Sequence, residues 1–191
     1  LPTIMSPVDV EVEATSMENN LVEFGFAEAS DQVEISTITN DAPTVFPLGE
    51  TIVTWTATDS SGNSASKTQT ITVVDTTSPV ISTTENIISN ATSKLNNIIT
   101  LDPISVTDSI STVQITNNAP SYYEFGETIV TWTATDSSGN SASATQTITV
   151  VDTTAPVITT PQNIIVDAVN TETFLEIGLA TIDDIIDDSP I

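Results

Sequence analysis

Residues Gly49 to Ser66 read GETIVTWTATDSSGNSAS, and residues Gly126 to Ser143 read the same, letter for letter. After one difference, Lys67 against Ala144, the identity resumes through TQTITVVDTT at Thr68–Thr77 and Thr145–Thr154. The offset is 77 residues throughout, and weaker matches carry it in both directions: Asp31 with Asp108, Asn40 with Asn117, and Pro2 with Pro79 and Pro156. A fixed period of this kind marks a repeat array. It divides the chain into repeats at 1–77 and 78–154 and a partial third repeat at 155–191. Within the quoted stretch the residues alternate. Val53, Trp55 and Ala57 share one face with threonines on the other, the period-2 pattern of a half-buried strand. Ser66–Val74 alternates likewise, with Ile71 and Val73 inward. Asp59-Ser60-Ser61-Gly62-Asn63 between them is turn chemistry, so the two strands form a hairpin.

Working outward, Phe46-Pro47-Leu48-Gly49-Glu50 forms a corner into the Trp strand. Less regular strands are expected near Val8–Ala14, Leu21–Ala27 and Val33–Thr39, each with a counterpart in repeat two. No segment has the periodicity of an amphipathic helix. Solenoid repeats run to about 20–50 residues. This longer, strand-rich period suits a small β-sandwich, somewhat under the ~100 residues of antibody-type domains. The expected fold class is therefore all-β: tandem immunoglobulin-like β-sandwich domains arranged end to end.

The combined string Phe46-Pro47-x-Gly49-x-Thr51-x-Val53-Thr54-Trp55-Thr56-Ala57-Thr58-Asp59-x-x-Gly62-Asn63, closed by Val74-Asp75-Thr76-Thr77-x-Pro79, resembles the hyalin repeat (HYR) family. It is also similar to bacterial immunoglobulin-like adhesin repeats. The resemblance covers the whole chain, although repeat three stops before its Trp strand, so only its first half matches. Repeat two departs from it at the corner, where Tyr123-Glu124-Phe125-Gly126 replaces Phe-Pro-x-Gly. The resemblance implies immunoglobulin-like modules of extracellular adhesion and matrix proteins.

The chain carries 26 acidic residues against two basic ones, Lys67 and Lys94, for a net charge of −24, with no His and no Cys. Phosphate backbones are bound by Lys and Arg, so nucleic acid is excluded as an expected partner. Anionic membrane surfaces are disfavoured for the same reason. No apolar run reaches the ~18 residues that would suggest a membrane span. Disulfides, thiolate metal sites and the common His and Cys routes of catalysis are absent, and no enzyme is expected. Leu1 follows no leader segment, so the sequence reads as a mature or excised piece of an extracellular or cell-surface protein.

The polar chemistry lies in the turns. In an immunoglobulin-like sandwich, the last hairpin and an early loop share one pole, facing the exit strand of the preceding domain. At the first junction this brings together Asp75 from the linker, Asp108 from the early loop, and Asp136 with Asn140 from the hairpin. Oxygen ligands converging from several loops suit Ca²⁺, and a junctional Ca²⁺ that stiffens the array is the expected cofactor. The equivalent pole of repeat one holds Asp31, Asp59 and Asn63. The second junction holds Asp152 and the acidic stretch Asp183, Asp184, Asp187 and Asp188. The competing reading is a turn cap that bonds backbone N–H groups for the Asp residues of the turns and linkers, and a solvated loop for the acidic stretch. The sole glycosylation sequon is Asn90-Ala91-Thr92.

Repeat three is too short to close a core, leaving Ile164, Ile165, Val166, Phe174 and Ile177 without cover. Either the chain is a fragment of a longer array, or the half-domain pairs with strands of a neighbouring chain. The expected function is a structural repeat array: a filament, surface-layer or stalk component. Its partners would be neighbouring copies or further repeats of the same protein. The alternative is a cell-surface adhesin binding a partner protein or glycan.

Overall fold

The computed structural model describes residues 1–82, 85–167, 172, 175–184 and 186. Among these there are fourteen strands and no helix. The two identical stretches each build a long hairpin. In the first, β5 (Gly49–Asp59) runs antiparallel to β6 (Ser64–Val74), with Val53 opposite Gln69 and Trp55 opposite Lys67. Its copies are β11 (Gly126–Asp136) and β12 (Ser141–Val151). Along β5 the alternation is realised as expected: Val53, Trp55 and Ala57 are buried and the intervening threonines are half-buried. The turn is closed by Asp59 N–H donating to Asn63 O at 2.9 Å and by Gly62 N–H donating to Asp59 O at 3.1 Å. Gly62 has φ = 87°, a conformation that side chains resist.

Each hairpin is extended into a four-stranded sheet. In the first, β2 (Val10–Glu13) joins β6 in parallel, and β4 (Ile35–Asn40) joins β5 antiparallel, giving the order β2-β6-β5-β4. In the second, β8 (Ile87–Asn90) and β10 (Val113–Asn117) take these places, and the order is β8-β12-β11-β10. Three short two-stranded ribbons complete the strands, and the first of them packs against β5 and β6. They pair β1 (Thr3–Met5) with β3 (Glu28–Ser30), β7 (Val80–Ile81) with β9 (Val106–Thr107), and β13 (Val157–Thr159) with β14 (Thr181–Asp183).

The expected strand at Leu21–Ala27 does not form; the ribbon strand starts only at Glu28. Side chains take over the work of a ladder here. Buried Asn20 accepts from Thr15 N–H and Ser16 N–H at 2.7 and 2.9 Å and donates to Phe46 O at 2.9 Å. Gln69, also buried, donates to Val8 O and Phe24 O at 2.7 and 2.8 Å. Gly25, at φ = 81°, turns the chain between them. These side chains satisfy backbone groups that β pairing otherwise would. The strands expected at Val8–Ala14 and Val33–Thr39 form as the shorter β2 and the shifted β4, the latter irregular between Ile35 and Thr37.

The chain forms two compact units: Leu1–Ser82 with Ser105–Ile115 and Thr133–Ala142, and Thr83–Ile104 with Thr116–Trp132 and Ser143–Ile191. The first core gathers Phe46, Val53, Trp55, Ala57, Ile71 and Val73, with Phe24 edge-on to Phe46 at 5.6 Å. The indole N–H of Trp55 donates to Gln69 Oε1 at 3.0 Å, so its polar atom is satisfied inside the core. The second core repeats the plan with Tyr123, Val130, Trp132, Ile148 and Val150, and Trp132 donates to Gln146 at 3.1 Å. In the partial third repeat, Ile164, Ile165, Val166 and Ile177 are exposed. Phe174, Asp187 and Asp188 lie outside the described residues.

Candidate functional site

The first compact unit contains the cluster that the turns promised. Asp75, Asp108 and Asp136 each bring a carboxylate oxygen within 4.8 Å of the others. Asp75 leaves the end of β6, Asp108 begins the loop after β9, and Asp136 ends β11. Asp75 and Asp136 are buried and Asp108 is half-buried.

Local hydrogen bonds hold each carboxylate in place. Asp75 Oδ1 accepts from Thr77 N–H at 3.1 Å, and its Oδ2 accepts from the Ser138 hydroxyl at 2.9 Å. Asp136 Oδ1 accepts from Asn140 N–H at 2.8 Å. Burial raises the Asp136 carboxyl, but hydrogen bonds from the Asn140 side chain and from the N–H groups of Asn140, Gly139 and Ser138 outweigh it and leave the group below its usual range. Asp108 Oδ1 accepts from Ile110 N–H and Ser111 N–H at 2.9 and 2.8 Å. The same turn carries Ile110, which packs against the first core. Asp108 thus shapes a loop that contributes an apolar contact as well as a carboxylate.

Asn140 enters differently from the oxygen ligand expected of it. Its amide nitrogen donates to Asp75 O and to Asp136 Oδ2, both at 2.9 Å. To offer Oδ1 to a cation the amide would have to turn over and give up both bonds.

Two buried atoms beside this network have no partner: Asp108 Oδ2 and Ser111 Oγ. Carboxylates this close repel by about 3–4 kcal/mol per pair at an effective dielectric of 20, and an orphaned buried oxygen adds desolvation cost. An oxygen-only donor set with spare lone pairs fits a hard cation.

The other expected positions divide. In repeat one, Asp31, Asp59 and Asn63 line one open concavity. Asp59 Oδ1 accepts from Ser61 N–H and Asn63 N–H, both at 2.9 Å, while Asp31 accepts from Val33 N–H and lies 3.5 Å from the Leu1 ammonium. No third carboxylate joins them among the described residues. In the second unit, Asp152 accepts from Thr154 N–H at 2.9 Å and from the Thr154 hydroxyl at 2.7 Å. These bonds hold the Asp152 carboxyl below its usual range against a smaller opposing effect of burial. Asp184 accepts from Ile186 N–H, as Asp108 does from Ile110, and Ile186 packs on the second core.

One residue of the site escaped sequence reading. Glu13, at the end of β2, accepts from Thr76 N–H at 2.8 Å, from the Thr76 hydroxyl at 2.9 Å and from the Thr77 hydroxyl at 3.1 Å. It clamps the linker that carries Asp75. The usable signal was a difference between the copies: the 77-residue offset puts Asn90 opposite Glu13.

Fold and turn chemistry together define a tandem array of immunoglobulin-like sandwich repeats. The HYR domain family model matches residues 2–73 and 74–150, and the chain belongs to this family. It is similar to hyalin of Strongylocentrotus purpuratus, 37% identical over 175 residues, covering 86% of this chain and 15% of that protein. Hyalin of Lytechinus variegatus is 42% identical over 130 residues, covering 63% and 24%. The sushi, von Willebrand factor type A, EGF and pentraxin domain-containing protein 1 of Rattus norvegicus is 36% identical over 101 residues, or 51% of this chain and 3% of that protein. Among solved structures, Drosophila N-cadherin EC1-4 aligns with a TM-score of 0.36 at 15% identity, over 79% of this chain and 49% of that one, a likeness too slight to bear on function. The chain is an extracellular or cell-surface protein of an adhesion-type repeat family. It spans only 15% and 24% of the two hyalins it matches.

Proposed function

We propose that this chain is a structural run of HYR repeats, at 1–77, 78–154 and 155–191, in which Ca²⁺ bound by Asp75, Asp108 and Asp136 stiffens the first linker. The observation that carries this reading is the three-carboxylate cluster with Asp108 Oδ2 buried and unpartnered. Near-identity of the copies supports a structural role over a unique active site, and no catalysis is proposed. Filament, surface-layer or stalk assembly follows from repetition: the partners are further repeats or copies of the same protein. A ligand that binds only the folded state stabilises it by mass action. Thermal unfolding with excess Ca²⁺ should therefore show a higher midpoint than with chelator, and Asp108→Asn should abolish the difference. Equal midpoints, with no heat of Ca²⁺ binding by calorimetry, would overturn the proposal.

A second reading, adhesion to a partner protein or glycan, is favoured by one observation. Tyr122 and Phe125 are 54% and 48% exposed in the corner segment of repeat two, apolar surface of the kind that marks interaction sites.

A further inference from the structure

The two copies guard their sheets differently. In the first sheet the edge strand β2 reads Val10-Glu11-Val12-Glu13, with both glutamates exposed. Charges on an edge strand deter pairing with another chain. In the second sheet the edge strand β8 reads Ile87-Ile88-Ser89-Asn90 and carries no charge. Ile88, which replaces Glu11, is 75% exposed. Asn90, which replaces Glu13, is also exposed, and its side chain makes no hydrogen bond among the described residues. An uncharged edge with an exposed isoleucine is a template for strand addition. The substitution that removes the second charge also creates the chain's single Asn-x-Thr acceptor sequence, Asn90-Ala91-Thr92.

We propose that Asn90 is an N-glycosylation site and that its glycan shields edge strand β8, as Glu11 and Glu13 shield β2. The proposal rests on the extracellular location of the family and not on calcium binding. The donor is a lipid diphosphate-linked oligosaccharide. The bond between the sugar C1 and the phosphate oxygen breaks, and the lipid diphosphate leaves with the electron pair. A new bond joins C1 to Asn90 Nδ2, whose proton passes to a base of the transferase. The folded geometry also sets the timing. Ala91 is buried, and Thr92 N–H is bound to Asn97 Oδ1 at 2.7 Å, with the Thr92 hydroxyl 3.3 Å from the same oxygen. Thr92 is thus tied into the fold once β8 has docked, so transfer precedes docking. Asn90 afterwards points away from the core with room for the sugar.

The test is secretion of the chain from a eukaryotic cell line, with intact mass before and after treatment with an amide-cleaving glycosidase in ¹⁸O-water. The expected result is one glycan per chain and a labelled aspartate at position 90 after cleavage. The glycan is lost in Asn90→Gln and kept in Thr92→Ser. Unmodified Asn90 in the secreted protein overturns the proposal. Sedimentation velocity tests the shielding. Asn90→Gln should self-associate at lower concentration than the glycosylated chain, and adding Ile88→Glu should restore the monomer. If Asn90→Gln and the glycosylated chain sediment alike at every concentration, the shielding is overturned, whatever the occupancy of the site.

Discussion

The linkers Asp75-Thr76-Thr77 and Asp152-Thr153-Thr154 are identical in sequence and follow strands that differ only at Lys67 against Ala144, yet the bonds of their threonine hydroxyls differ. In the first, both threonine hydroxyls and Thr76 N–H reach back to Glu13, more than sixty residues away. In the second, the Thr154 hydroxyl turns onto Asp152 of the same linker, while the Thr154 N–H bond to Asp152 matches that of Thr77 N–H to Asp75. The deciding residue is the one facing the linker from the edge strand, Glu13 in one copy and Asn90 in the other. A linker's conformation is thus set by a remote position as well as by its own residues.

The largest expected effect would show that the cores do not share this asymmetry. Trp55→Ala and Trp132→Ala each remove a buried indole and leave Gln69 or Gln146 Oε1 without its donor. Each should cost about 3–5 kcal/mol, measured by urea unfolding, and a much smaller loss at either site would break the equivalence of the two cores. A middle-sized effect separates them. Tyr123 stands where the first core has Phe46, and its hydroxyl is buried without a partner; burial alone pushes its pKa upward. Tyr123→Phe should stabilise the second core by about 1 kcal/mol, whereas a loss of stability would reveal an unseen partner for the hydroxyl.

The smallest effects are local to the linkers. Glu13→Ala should speed amide exchange at Thr76 and leave Thr154 unchanged, while Asn90→Glu should slow exchange in the second linker by transplanting the clamp. Unchanged exchange at Thr76 would remove Glu13 from its role. The clamp should also respond to acid. The Thr76 N–H and hydroxyl bonds, with that of the Thr77 hydroxyl, outweigh burial and depress the Glu13 carboxyl. The folded state then binds protons less readily than the unfolded one. The contribution is present above the unperturbed value of about 4.3 and is lost as pH falls through the lower folded value. Thr76 exchange followed from pH 6 downward reads this directly, once corrected for its intrinsic pH dependence.

Much of the fold was legible because the Trp hairpin is regular. Alternation at Val53, Trp55 and Ala57 specifies which face is buried, and Asp59 through Asn63 can hardly form anything but a turn. Leu21–Ala27 misled because its apolar residues suggest a strand, whereas Phe24 O within it is satisfied by the side chain of Gln69 from outside the segment. In the candidate site, Asp75, Asp108 and Asp136 could be named from repeat register and sandwich topology. The donor role of Asn140 could not, because which end of an amide faces a carboxylate depends on neighbours that only folding supplies.

Local patterning by itself thus determined the repeat, the buried face of each long strand, the turns and the family, since period-2 alternation and turn chemistry act over a few residues. The tertiary structure alone decided which carboxylates meet, which oxygen stays unpartnered, and whether the linker threonine hydroxyls bond Glu13 or their own Asp. Those outcomes depend on distances between atoms far apart in the chain, and identical local sequences therefore reached different answers.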